Sequence, residues 1–256
     1  MRPMFACLLF CFAAIGAAAQ SSISDSLVTV VVDDLERESH LFVPSSYKQG
    51  TAVPLVLSFH GTGGTPDIQR RISALEIVAE RESFIVLSPR AVYTAEENWP
   101  ATWNVYLDEN GVDDVKFVRS LIAEVSRRFT IDEAKIYSTG FSGGGRMTSR
   151  VGCDLSDVVA AIAPVAGIQF PGACNPSAPI PIMTFHGEKD EVNHFVHNEN
   201  SPEHWHMGVE AALAEWADQN GCSGSTTETE LTPQVTFVKY SDCPEDSPIA
   251  MFRMKN

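Results

Sequence analysis

The 256-residue chain is long enough for one large α/β domain with a well-buried core, and no Pro/Gly-rich linker, repeat or low-complexity segment divides it. Its formal net charge of −15 at pH 7 excludes a basic surface for nucleic acid or anionic lipid.

The first stretch, MRPMFACLLFCFAAIGAAAQ, joins a basic Arg2 to an apolar run from Met4 to Ile15 and the small residues Ala17-Ala18-Ala19. That order predicts a secretory signal over residues 1–19 and an exported domain over 20–256. The run is short for a bilayer span, so no membrane association is expected after cleavage. Of the 6 cysteines, Cys7 and Cys11 leave with the signal, so Cys153, Cys174, Cys222 and Cys243 remain. An even set in an exported chain suggests two disulfides. Three pairings are open, and the order along the chain favours Cys153 with Cys174 and Cys222 with Cys243.

LVTVVVDD and ESHLFVP read as an opening hairpin, and VPLVLSFHG as a strand buried on both faces. Residues 67–82 carry Ile68, Ile72, Leu75, Ile77 and Val78 at helical spacing, and FIVLSPR reads as the next strand. Beyond the loop NWPATWN, Val115, Val118, Leu121, Ile122, Val125 and Phe129 form one helical stripe. Asp113 and Asp114 stand at its start and read as caps, because carboxylates favour a helix N-terminus. Next come the strand AKIYSTG, a helix after Ser142, the strands VVAAIAPVAG and PIPIMTFHG, and a helix in GVEAALAEWADQNG. VTFVKY and IAMFRMK close the chain as a hairpin-like pair. Strands alternating with helices imply a mostly parallel, doubly wound α/β sheet.

In IYSTGFSGGGRM, Ser142 lies within a G-x-S-x-G pattern between the end of a strand and the start of a helix. A turn of this kind exposes a serine nucleophile. Such a hydroxyl needs an imidazole to take its proton, a carboxylate to orient the imidazole, and donors for the developing oxyanion. His60-Gly61-Thr62-Gly63-Gly64 ends an earlier strand, where the N–H of Thr62 pairs with that of Gly143 as candidate oxyanion donors, while His60 itself reads as structural. Asp190, in the loop of TFHGEKDEVNHF, is the candidate acid, with Glu188 and Glu191 as nearby alternatives. Trp99, Trp103 and Trp205 offer stacking surface for a ring or sugar, or else belong to core and rim. His194, His197, His204 and His206 lie in one loop without HExxH or a cysteine partner, so no metal is assigned to them.

FHGTGG, VDDVKFVRSLIAEV, IYSTGFSGGGRM, VVAAIAPVAG, FHGEKDEV and WADQNGC together resemble the secreted esterases that include polyhydroxybutyrate depolymerase-like proteins, feruloyl esterases and some acetylxylan esterases. The resemblance runs from about Leu41 to the end. It implies an α/β-hydrolase fold, Ser142 as nucleophile and Asp190 as acid, Thr62 and Gly143 as the oxyanion hole, bridges Cys153–Cys174 and Cys222–Cys243, and no metal or organic cofactor. In that group the base histidine sits in a Gly-His-x-Trp-Pro-like segment just after the last core strand. Here the last strand is IAMFRMK and the sequence ends at Asn256, so the domain reads as truncated at its C-terminal end, with the base expected beyond Asn256. The expected function is a secreted serine esterase acting through an acyl-enzyme on feruloyl or acetyl esters of polysaccharide, or on a polyhydroxyalkanoate. The alternative is an inactive relative that keeps the fold and binds carbohydrate.

Overall fold

A computed structural model describes residues 25–172, 174–222 and 225–255, so the predicted signal lies outside the described residues. β1 (Asp25–Val32) and β2 (Leu35–Phe42) form the expected hairpin, turning through Asp33 and Asp34 at φ 51° and 62°. Positive φ at both central residues gives a turn whose twist matches that of its strands. β3 (Val53–Phe59) follows.

The helix expected over 67–82 divides into α1 (Pro66–Ser73) and α2 (Leu75–Glu82). Ala74 separates them at φ 49°, and its N–H closes α1 on the carbonyl of Arg70. Thr65 caps α1 by accepting from the N–H of Ile68, with Pro66 at the first helical position. After β4 (Ile85–Pro89) the long loop leads to α3 (Asp114–Arg128), which buries Val118, Leu121, Ile122 and Val125 of the expected stripe together with Phe117, while Val115 is half-buried and Phe129 caps the C-terminus.

Asp113 caps α3, accepting from the N–H of Lys116 at 2.8 Å. Asp114 departs from the expected capping role. It is 1% exposed, pairs with Arg37 on β2 at 2.8 Å, and accepts the N–H of Asn104 at 2.7 Å. The Arg37 guanidinium lies 4.0 Å over the ring of Phe117. One carboxylate thus ties β2, the Trp-bearing loop and α3 together.

β5 (Ile131–Phe141), α4 (Gly143–Asp154), β6 (Ala161–Val165), β7 (Ile182–Gly187) and α5 (Val209–Gln219) complete the alternating part. β8 (Thr226–Thr232), β9 (Val235–Tyr240) and β10 (Ile249–Met254) follow. β9 pairs antiparallel with β10 as expected, and with β8 on its other side. β8, TTETELT, is exposed throughout. It has no apolar face for a period-2 pattern to reveal.

The ten-stranded sheet has the order β1-β2-β4-β3-β5-β6-β7-β10-β9-β8. From β4 to β10 neighbouring strands run parallel, and both edges are antiparallel. This is the mostly parallel α/β architecture expected, and it gathers the C-terminal ends of β3, β5, β6, β7 and β10 along one edge. On one face Val56, Tyr137, Ala163, Met183, Phe237 and Ala250 line an open apolar groove of about 620 Å³.

Cys153–Cys174 and Cys222–Cys243 are disulfide-bonded, each spanning 21 residues. A closed loop of that length restricts the unfolded chain by about 3 kcal/mol. Replacing Cys222 and Cys243 by serine is therefore expected to lower stability by about 3 kcal/mol in urea unfolding. A loss below about 0.5 kcal/mol would contradict that account.

Candidate active site

Ser142 sits where β5 gives way to α4, at φ 53° and ψ −115°, a region that non-glycine residues enter only under constraint. The constraint is backbone packing on both sides. A Cβ at Gly144 would lie 2.1 Å from the carbonyl oxygen of Phe59, and one at Gly140 would lie 2.4 Å from that of Gly144. Only glycine lets α4 approach β3 and β5 this closely, which is the physical content of the G-x-S-x-G pattern. The Ser142 N–H donates to Val165 at 2.9 Å, and its carbonyl accepts from Arg146 at 3.1 Å. The half-buried side chain stands at the N-terminus of α4, where helix N–H groups and the helix dipole favour negative charge.

The loop after β3 meets this turn. A Cβ at Gly61 would stand 3.4 Å from the Cβ of Ser142, and one at Gly143 would lie 2.9 Å from the backbone nitrogen of Thr62. Thr62 and Gly143, nominated as donors from sequence, are brought together beside Ser142. The loop is fixed by Gly63 N–H donating to Ala101 at 2.8 Å and by the Thr62 and Thr102 hydroxyls at 2.9 Å. His60 is buried. Its Nε2 accepts the N–H of Ala91 at 3.1 Å, so Nδ1 carries the proton and donates to the Gly61 carbonyl at 2.8 Å. Burial holds its pKa below the ordinary histidine value, and its role is the structural one expected.

Asp190 occupies the loop leaving β7. Its Oδ1 accepts the N–H groups of Val192 at 2.9 Å and Asn193 at 2.8 Å, and Oδ2 lies 3.4 Å from Nε2 of buried His186. That nitrogen donates to the Asn193 carbonyl at 2.8 Å. Burial pushes the Asp190 carboxyl up, but the donors from His186, Asn193 and Val192 outweigh it and hold the pKa below the usual aspartate value. A depressed folded-state pKa contributes stability above the unfolded value of about 3.9 that is lost as pH falls through the folded value. Asp190→Asn should therefore be less stable than the parent near pH 6, with the gap shrinking toward about pH 2. Urea unfolding at the two pH values reads this directly, and an equal gap at both would rule out the linkage. The Asp190 loop is anchored to the serine side by Asn193, whose Nδ2 donates to the Ala166 carbonyl at 2.6 Å just after β6.

Of the three tryptophans offered for stacking, Trp103 and Trp205 are buried rather than presented to a substrate. Trp103 is 2% exposed, with its indole N–H on the His60 carbonyl at 2.8 Å and its ring edge-on to Phe59. Trp205 is 0% exposed and donates to the His194 carbonyl at 2.7 Å. Both anchor loops from within, because a large ring with one polar atom satisfies a buried carbonyl while filling core volume. Trp99 is the exposed one, at 54%, and Phe141 and Tyr106 also present surface. The Tyr106 hydroxyl is fixed by Gln169 at 2.8 Å and by the His204 carbonyl at 2.6 Å.

Two residues that sequence reasoning passed over join these parts. Arg146, inside the quoted serine motif, donates to Asn193 Oδ1 at 3.0 Å and to Thr62 Oγ1 at 3.2 Å. Asn193 lies three residues after Asp190 and also meets His204, whose Nε2 is 3.3 Å from Asn193 Oδ1. Burial, then the positive charges of Arg146 and His206, push the His204 pKa down to about 4. His194 bonds to Ser201 and to the Glu191 carbonyl, and His206 packs on Tyr106. Among the described residues no group of three or more His, Cys, Asp or Glu is placed to hold a metal ion.

The strand order, the Ser142 turn at the C-terminal edge and the Asp190 loop after β7 make up an α/β-hydrolase fold, shared with an acetyl xylan esterase from Aspergillus awamori. That structure aligns with a TM-score of 0.64 at 15% identity, over 89% of this chain and 92% of the other. A thermostable esterase aligns with a TM-score of 0.59 at 19% identity, over 91% of this chain and 55% of the other. The family model for esterase PHB depolymerase matches residues 39–201, and the chain belongs to that family. Feruloyl esterase B of Piromyces equi is 32% identical over 212 residues, 78% of this chain and 38% of that protein. A bifunctional acetylxylan esterase/xylanase of Neocallimastix patriciarum is 28% identical over 212 residues, 81% of this chain and 28% of that protein. The chain thus spans about a third of the length of these two curated relatives.

Proposed function

We propose that the protein is a secreted serine carboxylic-ester hydrolase that works through an acyl-enzyme, with Ser142 as nucleophile, Asp190 as the acid that orients the base, and the N–H groups of Thr62 and Gly143 as oxyanion donors. The strained Ser142 turn, pressed against the Thr62 loop at the N-terminus of a twelve-residue helix, carries the reading. Nothing in a structural turn calls for that strain, whereas presenting an attacking oxygen beside two N–H groups does.

The reading requires an imidazole base beside Ser142. Met254 on β10 stands beside Gly187 on β7, and the N–H of Glu188 donates to the Met254 carbonyl at 2.8 Å. The end of β10 therefore lies next to the loop that carries Asp190. In the reaction, Ser142 Oγ attacks the ester carbonyl as its proton passes to the imidazole, the oxyanion rests on the two N–H groups, and the alkoxide leaves with that proton. Water then repeats the sequence on the acyl-enzyme.

The feruloyl and acetylxylan esterase relatives support esters on plant polysaccharide as substrates, and the family supports polyhydroxyalkanoate as the further candidate. The exposed rings of Trp99, Tyr106 and Phe141 suit a phenolic acyl group or a sugar. Two disulfides fit an oxidising, extracellular setting. Comparing kcat/KM on methyl ferulate, acetylated xylan and polyhydroxybutyrate tests the substrate class. Hydrolysis of the first or second is expected to exceed that of the third, and turnover of none of them would overturn the assignment.

A further inference from the structure

We propose that Arg146 is a positioning residue of the reaction centre, a buried cation that ties the oxyanion loop to the acid loop and places an uncompensated positive charge behind the oxyanion hole. This rests on reading Ser142 as nucleophile and Thr62 as oxyanion donor.

The contrast with two other buried arginines carries the argument. Arg37 and Arg150, more deeply buried still, each have a carboxylate, Asp114 at 2.8 Å for Arg37 and Asp154 at 3.2 Å for Arg150. Arg150 further donates to the carbonyls of Val105 and Gly172, both at 2.8 Å. Arg146 is 7% exposed and its side chain meets only neutral oxygens, Asn193 Oδ1 and Thr62 Oγ1. Among the described residues it forms no ion pair, and burial lowers its pKa with no carboxylate acting against that. Arginine stays charged all the same. A buried charge without a counterion is costly, so its retention here implies an anion that is present only part of the time.

The geometry says where that anion forms. Thr62 Oγ1, which accepts from Arg146, lies 2.6 Å from where a Cβ on Gly143 would stand, so one threonine side chain separates the guanidinium from the paired Thr62 and Gly143 backbone. The tetrahedral intermediate places its negative oxygen at that pair. The other arm of the fork holds Asn193, whose backbone N–H donates to Asp190 and whose Nδ2 holds Ala166. A planar guanidinium serves both arms at once, which a lysine ammonium on a flexible stem does not do.

Charge and positioning separate experimentally. In a Ser142→Cys background, the pH dependence of iodoacetamide alkylation reports the thiol pKa and needs neither a base nor turnover. Adding Arg146→Gln should raise that pKa by about one unit, an about tenfold slower alkylation below it, while Arg146→Lys should stay within about half a unit. In ester hydrolysis, Arg146→Lys should lower kcat about tenfold with KM within about threefold. Thr62→Val, which keeps the backbone N–H, should also lower kcat, and the two effects should be strongly non-additive. An unchanged thiol pKa in Arg146→Gln overturns the charge, and parental kcat in Arg146→Lys overturns the bridge. If Arg146→Gln does not fold, the lysine and Thr62→Val variants still decide. Undiminished turnover in Ser142→Ala would instead sink the nucleophile assignment, leaving the thiol measurement to judge Arg146 alone.

Discussion

Ser142→Ala should lower kcat for ester hydrolysis by roughly 10⁴- to 10⁶-fold while leaving KM and folding nearly unchanged. The size follows from the reaction written above, in which every other group acts on the Ser142 oxygen or on the charge its attack creates. Without that oxygen, the paired N–H groups and substrate contacts keep only a residual advantage over water. Folding should survive because the backbone holds the turn, through the Ser142 N–H on Val165 and its carbonyl on the Arg146 N–H. Thr62 and Thr102, hydroxyls of the loops beside Ser142, are bonded to each other at 2.9 Å. A fall of less than about 10²-fold, with the variant folded, would mean that another group attacks.

Asp114→Ala should cost about 3–5 kcal/mol of stability, since it strands the Arg37 guanidinium, whose side chain is 1% exposed, without its counterion. It also leaves the N–H of Asn104 without its acceptor, and Asn104 in turn organises the loop through Asp108 and Val112. The neighbouring Asp113→Ala removes only a helix cap and should cost about 1 kcal/mol. Urea unfolding of the two variants compares them directly, and equal losses would contradict the buried-pair account. Replacing Arg37 and Asp114 together by apolar residues should recover much of the loss, because the expensive species is the unpaired charge.

Much of this was legible in the sequence because periodicity reports burial. The parallel strands, α3 and α5 were read from apolar runs and stripes, and the serine motif from glycines that close packing requires. Four things escaped for physical reasons. Asp113 and Asp114 are chemically identical neighbours at one helix start, and only Arg37, 77 residues away from Asp114, separates their roles. Trp103 and Trp205 are as apolar on paper as Trp99, and exposure is a property of the fold. Arg146 looked like one polar residue on a helix, since nothing local tells that α4 is buried from Gly143 to Cys153. β8 was missed because an edge strand held by backbone pairing needs no apolar side chains.

The most direct test of the central claim is to treat the natural protein with an alkyl fluorophosphonate and locate the adduct by peptide mass spectrometry. One phosphonyl group per chain on the Ser142 peptide, absent in Ser142→Ala, is the result the account predicts. Stoichiometric labelling at another residue, or loss of ester hydrolysis with Ser142 unlabelled, would contradict it.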